Sequence, residues 1–526
     1  MKSALCRTLA SLCVGMGLLA IANVLPAQEI RTPPASPRPH INGSDVFGVR
    51  PDHPFLYQIP ATGVRPMIFY AANLPKGLKL SPATGLISGS VHKNWFKRKY
   101  VITLFAKNEL GVDAKNFTIV VGETIALTPP MGWNSWNAYH DIVNGENVIS
   151  AARAMASSGM INYGWTYINV DDSWQGERGG KYNAIQSNDK FANMDGLCDE
   201  IHGLGLKVGI YSTPWETSYA RYVGGSSDDP NGAWTHTRSA RGKYCFADND
   251  AKQWAAWGID YLKYDWNPRS TRPTPETSAQ FLNDSVTMHT ALRKSGRDVV
   301  FSYSNDMPFN QIAAQSRIYN CWRTTGDISD NWPSMVQRAF YIPFPRGATE
   351  PTGPPSDKWA PYASPGHWND PDMMVLGVVN FGGKQHPTRL TPEEQYVHMT
   401  AWCMASAPLL LGCDLDKLDA FTLNLVENDE VLAIDQDSLG QQATLAGNVD
   451  NVLLVYKKDL EDGSMAVALY NLSDKPTTIT ANWNDLGISG SRNVRDLWRQ
   501  KDLGTFEDNF AMPVAPHSAE LLKLSW

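Results

Sequence analysis

Between residues 128 and 418 the 526-residue chain repeats one pattern, a short apolar run followed by a stretch with helical spacing. Eight runs are readable: MGWNSW (131–136), YGWTYINVDD (163–172), LKVGIYS (206–212), IDYLKYD (259–265), VVFSYS (299–304), IYNCWRTTGD (318–327), GHWNDPDM (366–373) and PLLLGCD (408–414). The segments between them, such as Val148 to Met160 and Ala251 to Trp257, have helical periodicity, and Gly159, Gly205 and Gly258 stand where a helix C-cap needs a positive φ. Strands alternating with helices predict a parallel sheet, because each strand is regained only through a crossover. Eight such units close on themselves, so the expected fold is α/β, a (β/α)8 TIM barrel.

The flanks follow other rules. Residues 41–123 carry short strand-like runs (MIFYAANL, YVITLFAKNEL, NFTIVVGE) cut by Pro, Gly and Asn, without a helical period, which predicts an N-terminal β-sandwich. Residues 419–526 return to short alternating runs (NVLLVYKK, SMAVALYNL, AELLKLSW), which predicts a C-terminal antiparallel β-sandwich on the side of the barrel. The prolines of RTPPASPRPH make 28–40 an extended linker. Residues 1–27 have the order of a signal peptide: basic Lys2 and Arg7, an apolar run from Leu9 to Leu25, and the small Ala27. A membrane anchor is the alternative reading of that run, weakened by its length and by Ser11 and Asn23 within it. No other long apolar stretch exists, so no membrane span is expected in the mature chain, and its expected destination is the periplasm or the cell exterior.

Composition closes off several classes. The net charge is −7 and no Lys/Arg run occurs, whereas nucleic acid selects a concentrated basic surface, so no nucleic-acid partner is expected. Cys6 and Cys13 would leave with the signal peptide; Cys198, Cys245, Cys321, Cys403 and Cys413 remain, an odd and scattered set without the CxxC spacing of a zinc site. A disulfide-poor protein with neither metal nor cofactor is expected. The 18 Trp and 20 Tyr suit a carbohydrate partner, because flat amphipathic rings stack on sugar faces, although core filling accounts for most of them.

In a β/α barrel the carboxyl ends of the strands share the rim where chemistry is done. Five of the eight runs end in carboxylates: Asp171 and Asp172, Asp265, Asp327, Asp370 and Asp372, and Asp414. A single such aspartate is as readily the N-cap of the next helix. Five together repel one another unless a cation, a proton or a polyhydroxylated ligand shares them, so the rim reads as a site. Two chemistries fit. Aspartates could hold a divalent metal that activates water; alternatively, one carboxylate attacks a glycoside while a second, about 5 to 5.5 Å away, handles the proton, with retention of configuration. Lys263 lies two residues before Asp265, on the same face of its strand, and Arg323 lies four before Asp327. Cations weaken a metal's ligand shell, but they hold sugar hydroxyls and lower a nucleophile's pKa, which favours the glycoside. Trp133, Trp136, Trp174, Tyr211, Trp266, Trp322 and Trp368 crowd the same strand ends, as barrel plugs or as walls for a pyranose.

The strings PPMGWNSWN, YINVDDSW, GLKVGIYS, WGIDYLKYD, WRTTGDISDNW and WNDPDMMVLG, in that order between 129 and 377, resemble the α-galactosidases and α-N-acetylgalactosaminidases of glycoside hydrolase family 27. The resemblance covers the barrel strongly and the C-terminal domain loosely. Separately, LPKGLKLSPATGLISGSV resembles the signature of immunoglobulin-like modules found beside exported carbohydrate enzymes. The family resemblance implies an exo-acting, retaining α-galactosidase that removes terminal α-linked galactose by double displacement. Asp265 of LKYD would be the nucleophile and Asp327 of TTGD the general acid/base, with Asp330 the competing choice for the second role. It further implies that Asp171 and Asp172 grip the O4 and O6 hydroxyls, that Lys263 binds hydroxyls beside them, and that Trp136 stacks on the C5–C6 edge. Tyr211, Arg323 and Asp372 would complete the pocket, and Asp370 would brace the loop around Pro371.

The chain departs from the family in places. Members that prefer galactose often carry a Cys-Glu-Trp segment after the fifth strand, where this chain reads SYSNDMPFN. Asp306 then stands for the longer acid as a sugar ligand, and Phe309 falls where a neighbour of the C2 substituent is expected. An acetamido group needs small neighbours, so Phe309 argues against N-acetylgalactosamine. The sibling specificities, β-L-arabinopyranosidase and α-N-acetylgalactosaminidase, stay open, as does a barrel that binds carbohydrate without cleaving it. Trp266 and Asn267 replace the family's cysteine after the nucleophile, so no disulfide is expected there. The insert 331–365, rich in Pro, Gly and aromatics, is expected to shape sites beyond the terminal sugar.

Overall fold

The computed structural model describes residues 30–94, 98–235, 239–267, 275–340 and 358–526. The expected signal peptide lies outside the described residues, as does the middle of the 331–365 insert. All eight expected runs contain a strand of one parallel sheet: β1 (Met131–Asn134), β2 (Tyr167–Asn169), β3 (Lys207–Ser212), β4 (Tyr261–Asp265), β5 (Val300–Ser304), β6 (Cys321–Arg323), β7 (Trp368–Asp370) and β8 (Leu409–Leu411). They are joined in the order β7-β6-β5-β4-β3-β2-β1-β8, and a parallel bridge from Met374 to Leu411 closes the ring. Every residue of β1, β5, β6, β7 and β8 is buried, since helices cover the outside and side chains fill the inside. Strands β1 and β2 approach so closely that a Cβ on Gly132 would lie 2.2 Å from the Tyr167 carbonyl oxygen, which requires glycine there.

Helices return the chain between strands. Gly145–Ser157 and Pro392–Met404 each start with a reciprocal capping box, Asn144 with Asn147 and Thr391 with Glu394. The second helix is buried from Glu394 to Met404 because the C-terminal sheet covers the side that would otherwise face water. Its polar residues are paired accordingly: His398 Nε2 accepts from the Val375 amide at 3.0 Å, and Thr400 accepts from the Trp498 indole at 3.0 Å. Burial pushes His398 down to about 3 and keeps its ring neutral.

The stretch after β8 is not yet the β-sandwich. Residues Ala420–Val426 and Asp429–Asp435 are helical, started by Asp419 and Asn428 side-chain caps, and the antiparallel strands begin only at Thr444. Those strands form a six-stranded sheet faced by the pair Thr477–Asn482 and Asn509–Val514.

The N-terminal module has a four-stranded and a three-stranded sheet around its own core of Phe55, Phe69, Ile102, Leu104, Phe117 and Ile119. It is fastened to the barrel floor rather than tethered. Arg50 Nε meets Asp298 at 2.6 Å and its Nη2 donates to the Arg297 carbonyl at 2.7 Å, while the Lys207 ammonium sits 4.7 Å from the Phe47 ring. The proline-rich segment is extended but docked: Arg31 is buried, lies 4.1 Å over the Tyr396 ring and pairs with Glu393 and Glu520. Among the described residues no helix is long and apolar enough to cross a membrane, and Cys198, Cys245, Cys321, Cys403 and Cys413 are free thiols.

Candidate active site

A cavity of about 340 Å³ opens at the carboxyl ends of the barrel strands. All the expected site residues except Asp306 line it: Trp136 just past β1, Asp171 and Asp172 past β2, Tyr211 in β3, Lys263 and Asp265 in β4, Arg323 in β6, and Asp327 and Asp372 in the segments after β6 and β7. A separate crevice between the N-terminal module and the barrel floor contains none of these groups.

The polar groups form two linked sets. In the first, Lys263 Nζ meets Asp171 Oδ2 at 2.8 Å, and Tyr211 donates its hydroxyl to Asp265 Oδ2 at 3.0 Å. In the second, Arg323 bridges Asp372, at 3.0 Å, and Asp327, at 3.3 Å. Asp172 is held by the Ser173 and Ala220 amides, each at 2.8 Å, and by Gln175 at 2.9 Å. Asp372 has a left-handed φ of 99°, a strained backbone for a residue with a Cβ, and it is pinned from several sides. Its amide donates to Asp370 at 2.8 Å, which is the bracing expected of Asp370, and its carboxylate accepts from the Ile328 and Met373 amides at 2.7 Å each.

Two lining cations and uneven burial give the five carboxylates different affinities for a proton. Burial pushes Asp265 up to about 7 against the pull of Lys263, with Asp171 adding to the rise. Burial likewise pushes Asp372 up to about 6. Asp327 goes the other way: the Arg323 guanidinium holds it below the usual carboxylate range. Lys263 therefore acts on Asp265 in the expected direction, but desolvation outweighs it. Burial also works against the charge on Lys263 itself, yet Asp171 and Asp265 keep it firmly protonated.

Three sequence expectations need correction. Asp306 is exposed and lies outside the cavity, beside Gly326; the preceding residue, Asn305, takes the inward position and donates to Asp265 Oδ1. The cause is the left-handed backbone of Asn305, φ 73°, which turns the chain as it leaves β5. Phe309 is not on the cavity lining; it packs edge-on against Trp359 at 4.9 Å and Tyr362 at 6.1 Å. Asp327 does not end its strand: β6 stops at Arg323, and Asp327 stands on the loop beyond. Asp330, its competitor, is buried outside the cavity in an ion pair with Arg389.

Sequence reading missed Asn305, His140, Tyr219, Met373 and Phe381, all on the lining. Tyr219 and Phe381 come from loops and His140 from a one-turn 3-10 helix, too short to have a period that marks it; Asn305 had a signal, as the first polar residue after β5. Among the described residues no group of three or more His, Cys, Asp and Glu is disposed to hold a metal ion.

A closed β/α barrel that gathers carboxylates, cations and aromatic walls around one cavity at the strand ends is the architecture of a glycoside hydrolase. The family model for alpha galactosidase A matches residues 128–437, the model for the alpha galactosidase C-terminal beta sandwich matches 450–524, and an Ig-domain model matches 39–122. An alpha-galactosidase of Oryza sativa subsp. japonica is 34% identical over 405 residues, 76% of this chain and 85% of its own. A crystal structure from Bacteroides fragilis, of a protein ascribed to the alpha-galactosidases, is 31% identical with a TM-score of 0.79 and covers 93% of this chain and 98% of its own. A β-L-arabinopyranosidase of Geobacillus stearothermophilus is 27% identical with a TM-score of 0.63, covering 76% and 97%. The chain belongs to the α-galactosidase family, glycoside hydrolase family 27.

Proposed function

We propose that this chain is an exported, exo-acting, retaining α-galactosidase that releases terminal α-linked galactose from oligosaccharides or glycans. The carrying observation is that Asp265 and Asp327 open onto one cavity of about 340 Å³ together with the Lys263–Asp171 pair, a volume suited to one pyranose unit. In this reading Asp265 attacks the anomeric carbon while Asp327 protonates the departing oxygen, and Asp327 then takes a proton from the water that cleaves the glycosyl-enzyme. Asp171, Asp172 and Lys263 hold hydroxyls, Trp136 stacks on the sugar, and Tyr211, Arg323 and Asp372 hold the two acids in place. Export rests on the basic, apolar and small-residue order of residues 1–27, and N-terminal sequencing of the mature protein from its native host tests it.

A second reading has specific support, since the β-L-arabinopyranosidase fits about as large a share of the barrel and C-terminal domain as the galactosidases do. Parallel hydrolysis of nitrophenyl α-galactoside, β-L-arabinopyranoside and α-N-acetylgalactosaminide separates the choices. The α-galactoside is expected to have the highest kcat/KM; preference for either other sugar, or binding without turnover, rejects the proposal.

The charge balance also predicts a pH profile. The productive state has Asp265 ionised and Asp327 protonated, but in the empty site a single shared proton favours Asp265. Raising the pH through about 7 removes that proton and leaves no acid, so kcat/KM should fall on the alkaline side there. Lowering the pH through the depressed Asp327 range neutralises the nucleophile, so activity should peak in mildly acidic solution. Lys263→Met removes the cation that opposes burial of Asp265. The alkaline limb should then move up, with a lower maximum, and a limb that stays in place separates Lys263 from the titration of Asp265.

A further inference from the structure

Asp265, the last residue of β4, is in register with Ser304, the last residue of β5. Asn305 then leaves β5 in the left-handed region, which Asn tolerates better than most residues. The turn brings its side chain back toward β4, and Nδ2 donates to Asp265 Oδ1. In the ionised form that attacks, the carboxylate only accepts, so the amide must present its nitrogen to it. From the other neighbouring strand, Tyr211 donates to Oδ2. The charged groups that share the cavity with Asp265 are Lys263 on its own strand, Asp171 and Asp172 past β2, Arg323 and Asp327 from β6 and its loop, and Asp372 past β7. The Lys263 ammonium makes its close ion pair with Asp171, so the two bonds recorded at the Asp265 oxygens come from uncharged donors.

We propose that Asn305 is a positioning residue: together with Tyr211 it fixes the rotation of the Asp265 carboxylate and favours its ionised form, so that the attacking oxygen is held toward the sugar. This rests on Asp265 being the nucleophile. In the glycosylation step one Asp265 oxygen forms the bond to C1, the bond from C1 to the glycosidic oxygen breaks, and that oxygen takes the Asp327 proton. Without Asn305, Asp265 holds its proton more tightly and Asp327 carries it less often. The productive arrangement becomes rarer.

Asn305→Gly is the clean variant, because glycine reaches a φ of 73° without strain and only the donor is lost. Loss of one hydrogen bond to a charged group should lower kcat/KM for nitrophenyl α-galactoside about tenfold and move the alkaline limb up by about one pH unit. Asn305→Asp keeps the shape but replaces the donor with a repelling carboxylate, and should shift the limb further. Trapping with 5-fluoro-α-galactosyl fluoride, followed by peptide mass spectrometry, should label Asp265 in the wild type and more slowly in Asn305→Gly. Label on Asp265 with a wild-type rate and pH profile in the variants overturns the role of Asn305 and leaves the nucleophile in place. A fall in activity with an unmoved limb also overturns it, because a merely structural loss does that. Label on another residue overturns the nucleophile assignment itself.

Discussion

Asp265→Ala should cost on the order of 10⁴-fold or more in kcat, because no other group in the cavity can form the covalent intermediate from that position. The truncation leaves a gap where the carboxyl group lay, between the Tyr211 hydroxyl and the Asn305 amide, with Lys263 close by. A small anion fits that environment, so added azide should restore part of the rate. Asp327 is untouched and can still protonate the leaving oxygen. Azide entering from the side vacated by Asp265 must give the β-galactosyl azide, opposite to the α-galactose of normal turnover, and NMR of the product reads this directly. Ordinary hydrolysis by this variant, or an azide product of α configuration, would remove Asp265 from the role. A chelator should leave the wild-type rate unchanged, since nothing in this scheme passes through a metal.

The barrel was legible because strands covered on both faces appear as unbroken apolar runs, and β1, β5, β6, β7 and β8 are buried throughout. Placement of Lys263 and Asp265 on one wall was equally legible, because a strand has a period of two and both belong to β4. Legibility ended with the strands. Which of Asn305 and Asp306 faces inward depends on a single left-handed residue, and no pattern of apolar spacing encodes that turn. Strand β6 stops at Arg323, so Asp327 lies four residues beyond it on a loop, where the period of two no longer says which way a side chain points. Docking of the segment 30–40 was hidden for another reason: prolines predict an extended chain, but the partners of Arg31 lie hundreds of residues away at Glu393 and Glu520. The proton's preference for Asp265 was also missed, since the neighbouring cation is visible in the sequence and the degree of burial is not.

The environment of Asp327 leads to the second large effect. Its side chain is 91% exposed at the cavity mouth, which suits a group that must reach a departing sugar and then an incoming water. It is nonetheless steered from two sides: Arg323 holds the carboxylate at 3.3 Å, and Arg338 donates to its backbone carbonyl at 2.8 Å. Asp327→Ala should therefore leave the cavity intact while removing the proton donor. For galactosides with sugar leaving groups, which need that proton, kcat/KM should fall about 10³-fold, within the usual range for general acid catalysis. Nitrophenyl galactosides leave without help, so their kcat/KM should fall far less. Their kcat should drop, because the glycosyl-enzyme now waits for water without a base, and KM should drop with it as that intermediate accumulates. Azide needs no base, so it should release the intermediate as α-galactosyl azide, the configuration opposite to the product from Asp265→Ala. Two variants of one cavity giving azides of opposite hand would assign one acid to each face of the sugar. Equal losses on both substrate types, or a β azide from Asp327→Ala, would move the acid/base role elsewhere; Asp330 is poorly placed to take it, buried against Arg389 outside the cavity.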